Sequence, residues 1–199
     1  MNIQGLYDFI CYKMKREIPP FVVYHDIDHT LDVYKSVVRL AQMERLDEYN
    51  INLLKAAALM HDFGITVKFE DHELVSAEMA QQYLPEFGFN DTEVKTIKEM
   101  ILATRLPQAV HTLNDKILCD ADLDYLGRND FFIIGQKLRL EWELVGNKIS
   151  LLDWYKLQMA FLKSHHYFTQ SAQVLRNERK NLNLADIQLL CNSKCSDKL

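Results

Sequence analysis

The residues of this sequence best suited to chemistry are histidines and aspartates gathered in three short segments. The first is His61-Asp62, which closes the apolar run Ala56-Ala57-Ala58-Leu59-Met60. A carboxylate there is expected to be buried. An uncompensated buried charge is costly, so a divalent metal, an arginine or a charged histidine must neutralise it. The second segment is YHDIDH, where His25 and His29 are four residues apart and share a face wherever the chain is helical. The third is CDADLD, which offers Asp120, Asp122 and Asp124. On a helix, the apolar stripe of Ile117, Leu118, Ala121 and Tyr125 puts Asp122 on its flank and turns Asp120 away among Lys116 and Asp124. Asp122 is therefore expected to face the core and Asp120 to be solvated. Imidazole nitrogen with carboxylate oxygen suits Mn, Fe, Co, Ni or Zn, and Mg where water completes the sphere. Four protein ligands would leave positions open for water and substrate, as a catalytic metal requires.

Helices must position these groups, because apolar residues recur at a spacing of three to four almost throughout and runs of alternation are lacking. The class expected is all-α, a single-domain helical bundle over residues 1–199. Helices are expected at about 2–16, 26–46, 50–63, 71–84, 91–105, 113–126, 129–145 and 150–168. Pro19-Pro20 ends the first, Gly64 stops the third, and Asp71 and Asp91 are the expected N-caps. Residues 169–199 read as a polar tail with one weak helix near Leu184–Leu190. Trp142 and Trp154 fall at helical spacing and read as core, and His111, His165 and His166, which lie in no motif, as solvated or helix-face residues.

Composition narrows the function. A 199-residue chain with 48% hydrophobic residues can bury a continuous core, and a formal charge of −5 with scattered cations lacks the footprint of a duplex-binding protein. No apolar run is long enough to span a bilayer and the N-terminus does not read as a signal peptide, so a soluble cytoplasmic protein is expected. The four cysteines are too sparse for a disulfide scaffold, and Cys191 and Cys195 read as incidental thiols near the end of the chain. No glycine-rich phosphate loop or Gly-x-Ser-x-Gly elbow occurs.

Taken in order, His29, His61-Asp62 and Asp122 resemble the H…HD…D pattern of the HD superfamily of metal-dependent phosphohydrolases. YHDIDHTLDV is similar to a segment of the class I cyclic nucleotide phosphodiesterases, AAALMHDFG to their alanine-rich HD helix, and ADLD to their metal-binding aspartate segment. The likeness covers about residues 20–130. Asp26 stands where those phosphodiesterases have Asn, Ile65 where they have a further histidine, and the GYP motif of the cyclic-di-GMP group is not apparent. The resemblance implies that His29, His61, Asp62 and Asp122 bind a divalent metal, which makes Asp62 part of the catalytic set, and that His25 protonates the leaving oxygen. His72 resembles the histidine of HExxSA segments, which lies near the phosphate or a second metal. Lys68 and Arg105, in or beside loops near the expected site, are candidates to pair with phosphate oxygens. The activity implied is hydrolysis of a small-molecule phosphate ester, with a nucleotide the favoured substrate. The alternative is a regulatory module that keeps the metal and turns over little.

Overall fold

The computed structural model describes residues 1–193. Nine α-helices and three short 3₁₀ turns follow one another, with no strand among the described residues. The helices are α1 (Ile3–Glu17), α2 (Ile27–Met43), α3 (Glu48–Met60), α4 (His72–Tyr83), α5 (Asp91–Ala103), α6 (Leu113–Asp122), α7 (Phe131–Leu144), α8 (Leu151–Ser164) and α9 (Gln170–Ser193). The starts are set by side chains that accept orphan backbone N–H groups. Asp26 takes the N–H of His29, while Asn90 with Glu93 and Thr112 with Asp115 form reciprocal capping boxes. Asn90 thus caps α5, and Asp91 is its first residue. Asp71 holds the N-cap position of α4, in the left-handed region at φ 54°, but its side chain makes no capping hydrogen bond; its carboxylate pairs with Arg105 instead.

Two hydrophobic clusters adjoin. In the first, α3 runs through the middle, with Leu53, Leu54 and the whole stretch Ala56–Met60 buried by α1, α2, α5 and α6. The second gathers Leu126, Phe131, Leu162 and Ile187 from the later helices, together with Tyr24 and Tyr125.

Two expectations fail here for one reason. Residues 169–193 are not a tail with a weak helix over Leu184–Leu190: α9 is a single helix of 24 residues. Its inner stripe runs Ala172, Arg176, Lys180, Asn183, Ile187 and Cys191, so half of it is polar and the apolar period is hidden. Each polar member finds a partner. Arg176 grips Asp124 through Nε at 2.7 Å and Nη2 at 2.9 Å, Lys180 lies 3.2 Å from His165 Nδ1, and Asn183 Nδ2 donates to the carbonyls of Leu126 and Arg128. His165 is accordingly half-buried against Lys180 and Tyr167 rather than solvated, while His111 and His166 are exposed. Cys191 is buried in the second cluster, and Cys195 lies outside the described residues.

The same segment buries Asp120, which was expected to face solvent. Asp120 Oδ1 accepts the N–H of Phe168 at 2.8 Å, and Oδ2 accepts the N–H and hydroxyl of Thr169 at 2.8 and 2.7 Å. The helix geometry that turned Asp120 from the α6 stripe is sound; the far side is simply covered by the turn into α9. Asp120→Ala leaves those donors unpaired and is expected to destabilise the protein by about 2–4 kcal/mol in urea unfolding. A change within about 0.5 kcal/mol would mean that Asp120 is solvated after all.

Candidate metal centre

Three helix ends meet where the two clusters adjoin. His29 lies in the first turn of α2, oriented by the Asp26 cap; His61 and Asp62 follow the last residue of α3; Asp122 is the last residue of α6. The C-terminal ends of α3 and α6 bring their partial negative charge to the same place, which favours a cation there. His72 opens α4, and α4 can approach because residue 64 is glycine. A Cβ on Gly64 would lie 2.2 Å from the His72 carbonyl oxygen.

The four residues His29, His61, Asp62 and Asp122 come together. His29 Nε2 is 3.3 Å from Asp62 Oδ2 and 3.2 Å from Asp122 Oδ1; His61 Nε2 is 3.0 Å from Asp62 Oδ2, 3.6 Å from Asp122 Oδ1 and 3.3 Å from His29 Nε2. His61 Nδ1 is 2.8 Å from the Ala58 carbonyl. A carbonyl only accepts, so Nδ1 carries the proton and a neutral His61 turns its Nε2 lone pair to the carboxylates. The buried Asp62 Oδ2 has no hydrogen-bond partner. Acceptors thus face acceptors, and only positive charge reconciles them. Donors bound to one ion at about 2.0–2.2 Å stand about 3 Å apart at right angles, which is the spacing found. The residues fit a divalent ion.

Asp62 also faces a second group. Its Oδ1 is 3.2 Å from His72 Nε2, and His72 Nδ1 donates to the Phe69 carbonyl at 2.9 Å. His25, Asp62 and His72 form another set whose ligand atoms lie within 4.8 Å of one another. His25 is held by a residue that the sequence reading passed over. Glu141 of α7, fully buried, accepts the N–H groups of Val23, Tyr24 and His25 on Oε2 and the His25 Nδ1–H on Oε1 at 2.5 Å. Burial raises the pKa of Glu141, but the His25 imidazole and these N–H donors outweigh it and bring it below the ordinary value. A signal existed: Glu141 continues the stripe Phe131, Ile134, Leu138 of α7, where a glutamate is out of place.

His25, Asp62, His72, Arg105 and Asp122 line one cavity of about 880 Å³. Lys68 does not. It is exposed, beside Asp71 and over a separate shallow depression with Phe21 and Phe69, because the loop after the 3₁₀ turn directs it outward. Trp142 and Trp154 are more than core: both line the cavity.

The sequence pattern of the HD domain matches residues 26–124. The chain carries an HD domain. Its helical fold is shared with a predicted HD superfamily hydrolase of an uncultured Thermotogales bacterium, at TM-score 0.63 and 22% identity over 96% of this chain and 91% of that one. Bacillus subtilis YpgQ, whose structure is a complex with ADP, matches at TM-score 0.67 and 19% identity over 97% of both chains. An uncharacterized protein of Clostridium beijerinckii is 32% identical over 87 residues, which span 41% of this chain and 53% of that protein. HD domains bind divalent metals. Among the described residues no helix is long and apolar enough to cross a membrane.

Without an ion, protons take its place. Burial disfavours charge on His29, but the carboxylates of Asp122 and Asp62 outweigh it and push its pKa up to about 9. His72 reaches about 9 as well, burial being overcome chiefly by Asp62. For Asp122, burial is overcome by His29 and His61, and its pKa falls to about 2. Histidines raised in the folded state contribute stability that is complete below about pH 6.5 and is lost as pH rises through about 9. The metal-free protein is therefore expected to lose thermal stability from about pH 6.5 to about 9. Affinity for Mn²⁺ should rise over the same window as the ion displaces these protons. A melting temperature independent of pH in metal-free protein, together with pH-independent Mn²⁺ affinity, would contradict this electrostatic account.

Proposed function

We propose that the protein is a metal-dependent phosphohydrolase acting on a nucleotide. The observation that carries the proposal is the convergence of His29, His61, Asp62 and Asp122, of which Asp62 and Asp122 line a cavity large enough for a nucleotide. The ADP bound by YpgQ, a protein of the same fold, supports a nucleotide over other phosphate esters. Those four residues would hold a divalent ion, which would supply charge to phosphate oxygens and make water a competent nucleophile near neutral pH.

The chain's own residues do the rest. His72 lines the cavity beside Asp62 and, as a cation, binds a phosphate oxygen; Arg105 lines it too, and can exchange Asp71 for phosphate. His25 gives its Nδ1–H to Glu141, which fixes the ring and leaves Nε2 free on the cavity side. In the charged form, Nε2 donates its proton to the leaving oxygen as the P–O bond breaks, and Glu141 stabilises that charge. The apolar side chains in the same lining, among them Leu138, Trp142, Trp154 and Phe161, limit the water that reaches the reacting group.

Turnover of a panel of nucleoside mono-, di- and triphosphates with Mn, Mg, Co or Ni tests the proposal. At least one is expected to be hydrolysed. His25→Ala should keep its metal and lose about 10²–10⁴ in kcat, and Glu141→Gln, which keeps a hydrogen-bond partner for the ring and removes only its charge, should lose less. Metal binding without turnover across the panel would instead favour a regulatory module, and full activity of His25→Ala would remove His25 from the reaction.

A further inference from the structure

The four residues of the metal centre are not equally shut in. The side chains of His61 and Asp62 are 0% and 5% exposed, whereas those of His29 and Asp122 are 9% and 17% exposed. His29 and Asp122 line a second cavity of about 370 Å³, between α2 and α7. It shares Tyr24, Asp122 and Tyr125 with the large cavity, and no other described residue. Tyr24 packs its ring on His29 at 4.9 Å between centroids and lies 6.0 Å from the ring of Tyr125, so two buried tyrosines part the cavities. The large cavity reaches the centre at Asp62 and Asp122, and the small one reaches it at His29 and Asp122.

We propose that the small cavity is the route by which the divalent ion enters and leaves, separate from the cavity that takes the substrate. The inference rests on the metal reading of the centre and adds the path of the ion. The lining selects the sign of what passes. Five aspartates stand against Lys35, Arg128 and Lys137, and Arg128 is itself engaged, with Nη1 2.5 Å from Asp32 Oδ2 and Nη2 2.9 Å from Asp130 Oδ2. A net acidic passage draws a cation and turns back a phosphate product. Asp28 is exposed in the first turn of α2, next to His29, and has no hydrogen-bond or ion-pair partner among the described residues, so its charge acts on an approaching ion. An ion on this path meets the two more open ligands, His29 and Asp122, before it reaches His61 and Asp62. A nucleotide seated in the large cavity leaves the path open, so metal and substrate can bind in either order.

Stopped-flow mixing of metal-free protein with Mn²⁺, read by a fluorescent Mn²⁺ chelator, gives the uptake rate; mixing of loaded protein with excess chelator gives the release rate. Ile133 lines the small cavity at 68% exposure and Leu157 the large one at 39%, so each position accepts a tryptophan without loss of core. Ile133→Trp should slow uptake and release by the same factor, about tenfold or more, and leave the equilibrium affinity unchanged, because an obstructed path alters both rates and neither end state. A disturbance of the centre itself would change the affinity instead. Leu157→Trp should keep both wild-type rates. Asp28→Lys, which does not depend on the fit of a ring, should slow uptake about tenfold or more at low ionic strength, an effect that shrinks as salt is added. Glu73→Lys, in the lining of the large cavity, should not slow it. Wild-type rates in Ile133→Trp and Asp28→Lys would overturn the inference and leave the metal centre in place. A wild-type protein that takes up no Mn²⁺ would sink the metal reading itself, and the inference with it.

Discussion

Asp62 is the residue on which the rest of the structure depends. One of its oxygens meets the imidazoles of His29 and His61 and the other meets His72, in a place that water scarcely reaches. A carboxylate so enclosed persists only where positive charge answers it. Metal or protons can do so, and they compete, which ties folding stability, metal affinity and pH together at one point. The helices serve this arrangement. Asp26 fixes the first turn of α2, Gly64 admits α4, and the ends of α3 and α6 deliver His61, Asp62 and Asp122.

The later helices complete what the first six begin. Glu141 reaches from α7 to the backbone of residues 23–25 and ties the segment bearing His25 to a different hydrophobic cluster from the one that holds Met60 and Phe63 on either side of His61-Asp62. The lining of the cavity is consequently mixed: His25, Asp62, His72, Arg105 and Asp122 share it with the rings of Trp142, Trp154 and Phe161 from α7 and α8. That mixture suits a ligand that carries both an anionic group and an apolar one. Asp124, bound by Arg39 and Arg176, and Asp120, bound to the turn before α9, lock the last helix onto α2 and α6, so the three aspartates of CDADLD take different tasks within five residues.

Local pattern made the all-α class legible, because α2 and α3 carry their periodicity in apolar residues and the capping side chains stand where the helices begin. His29, His61-Asp62 and Asp122 were also legible as a group, since their types match one chemistry and their helix ends are marked in the sequence. Partners distant in the chain were not. Asp120 looked solvated because its donors come from Phe168 and Thr169, and α9 looked weak because Arg176, Lys180 and Asn183 interrupt its apolar stripe and pair only after folding. Lys68 was placed by its loop, and the direction of a loop side chain has no period to read. Glu141 left one trace, a polar residue on an apolar helical stripe, which is an uncompensated cost until the residue facing it is known.

The central claim is that His29, His61, Asp62 and Asp122 hold one divalent ion between them. Crystals grown with Mn²⁺ and measured for anomalous scattering would test it most directly. The account predicts a strong peak within bonding distance, about 2.0–2.3 Å, of His29 Nε2, His61 Nε2 and an oxygen of each aspartate. A map with no peak among these four side chains at saturating Mn²⁺, or with the ion bound elsewhere on the chain, would contradict it.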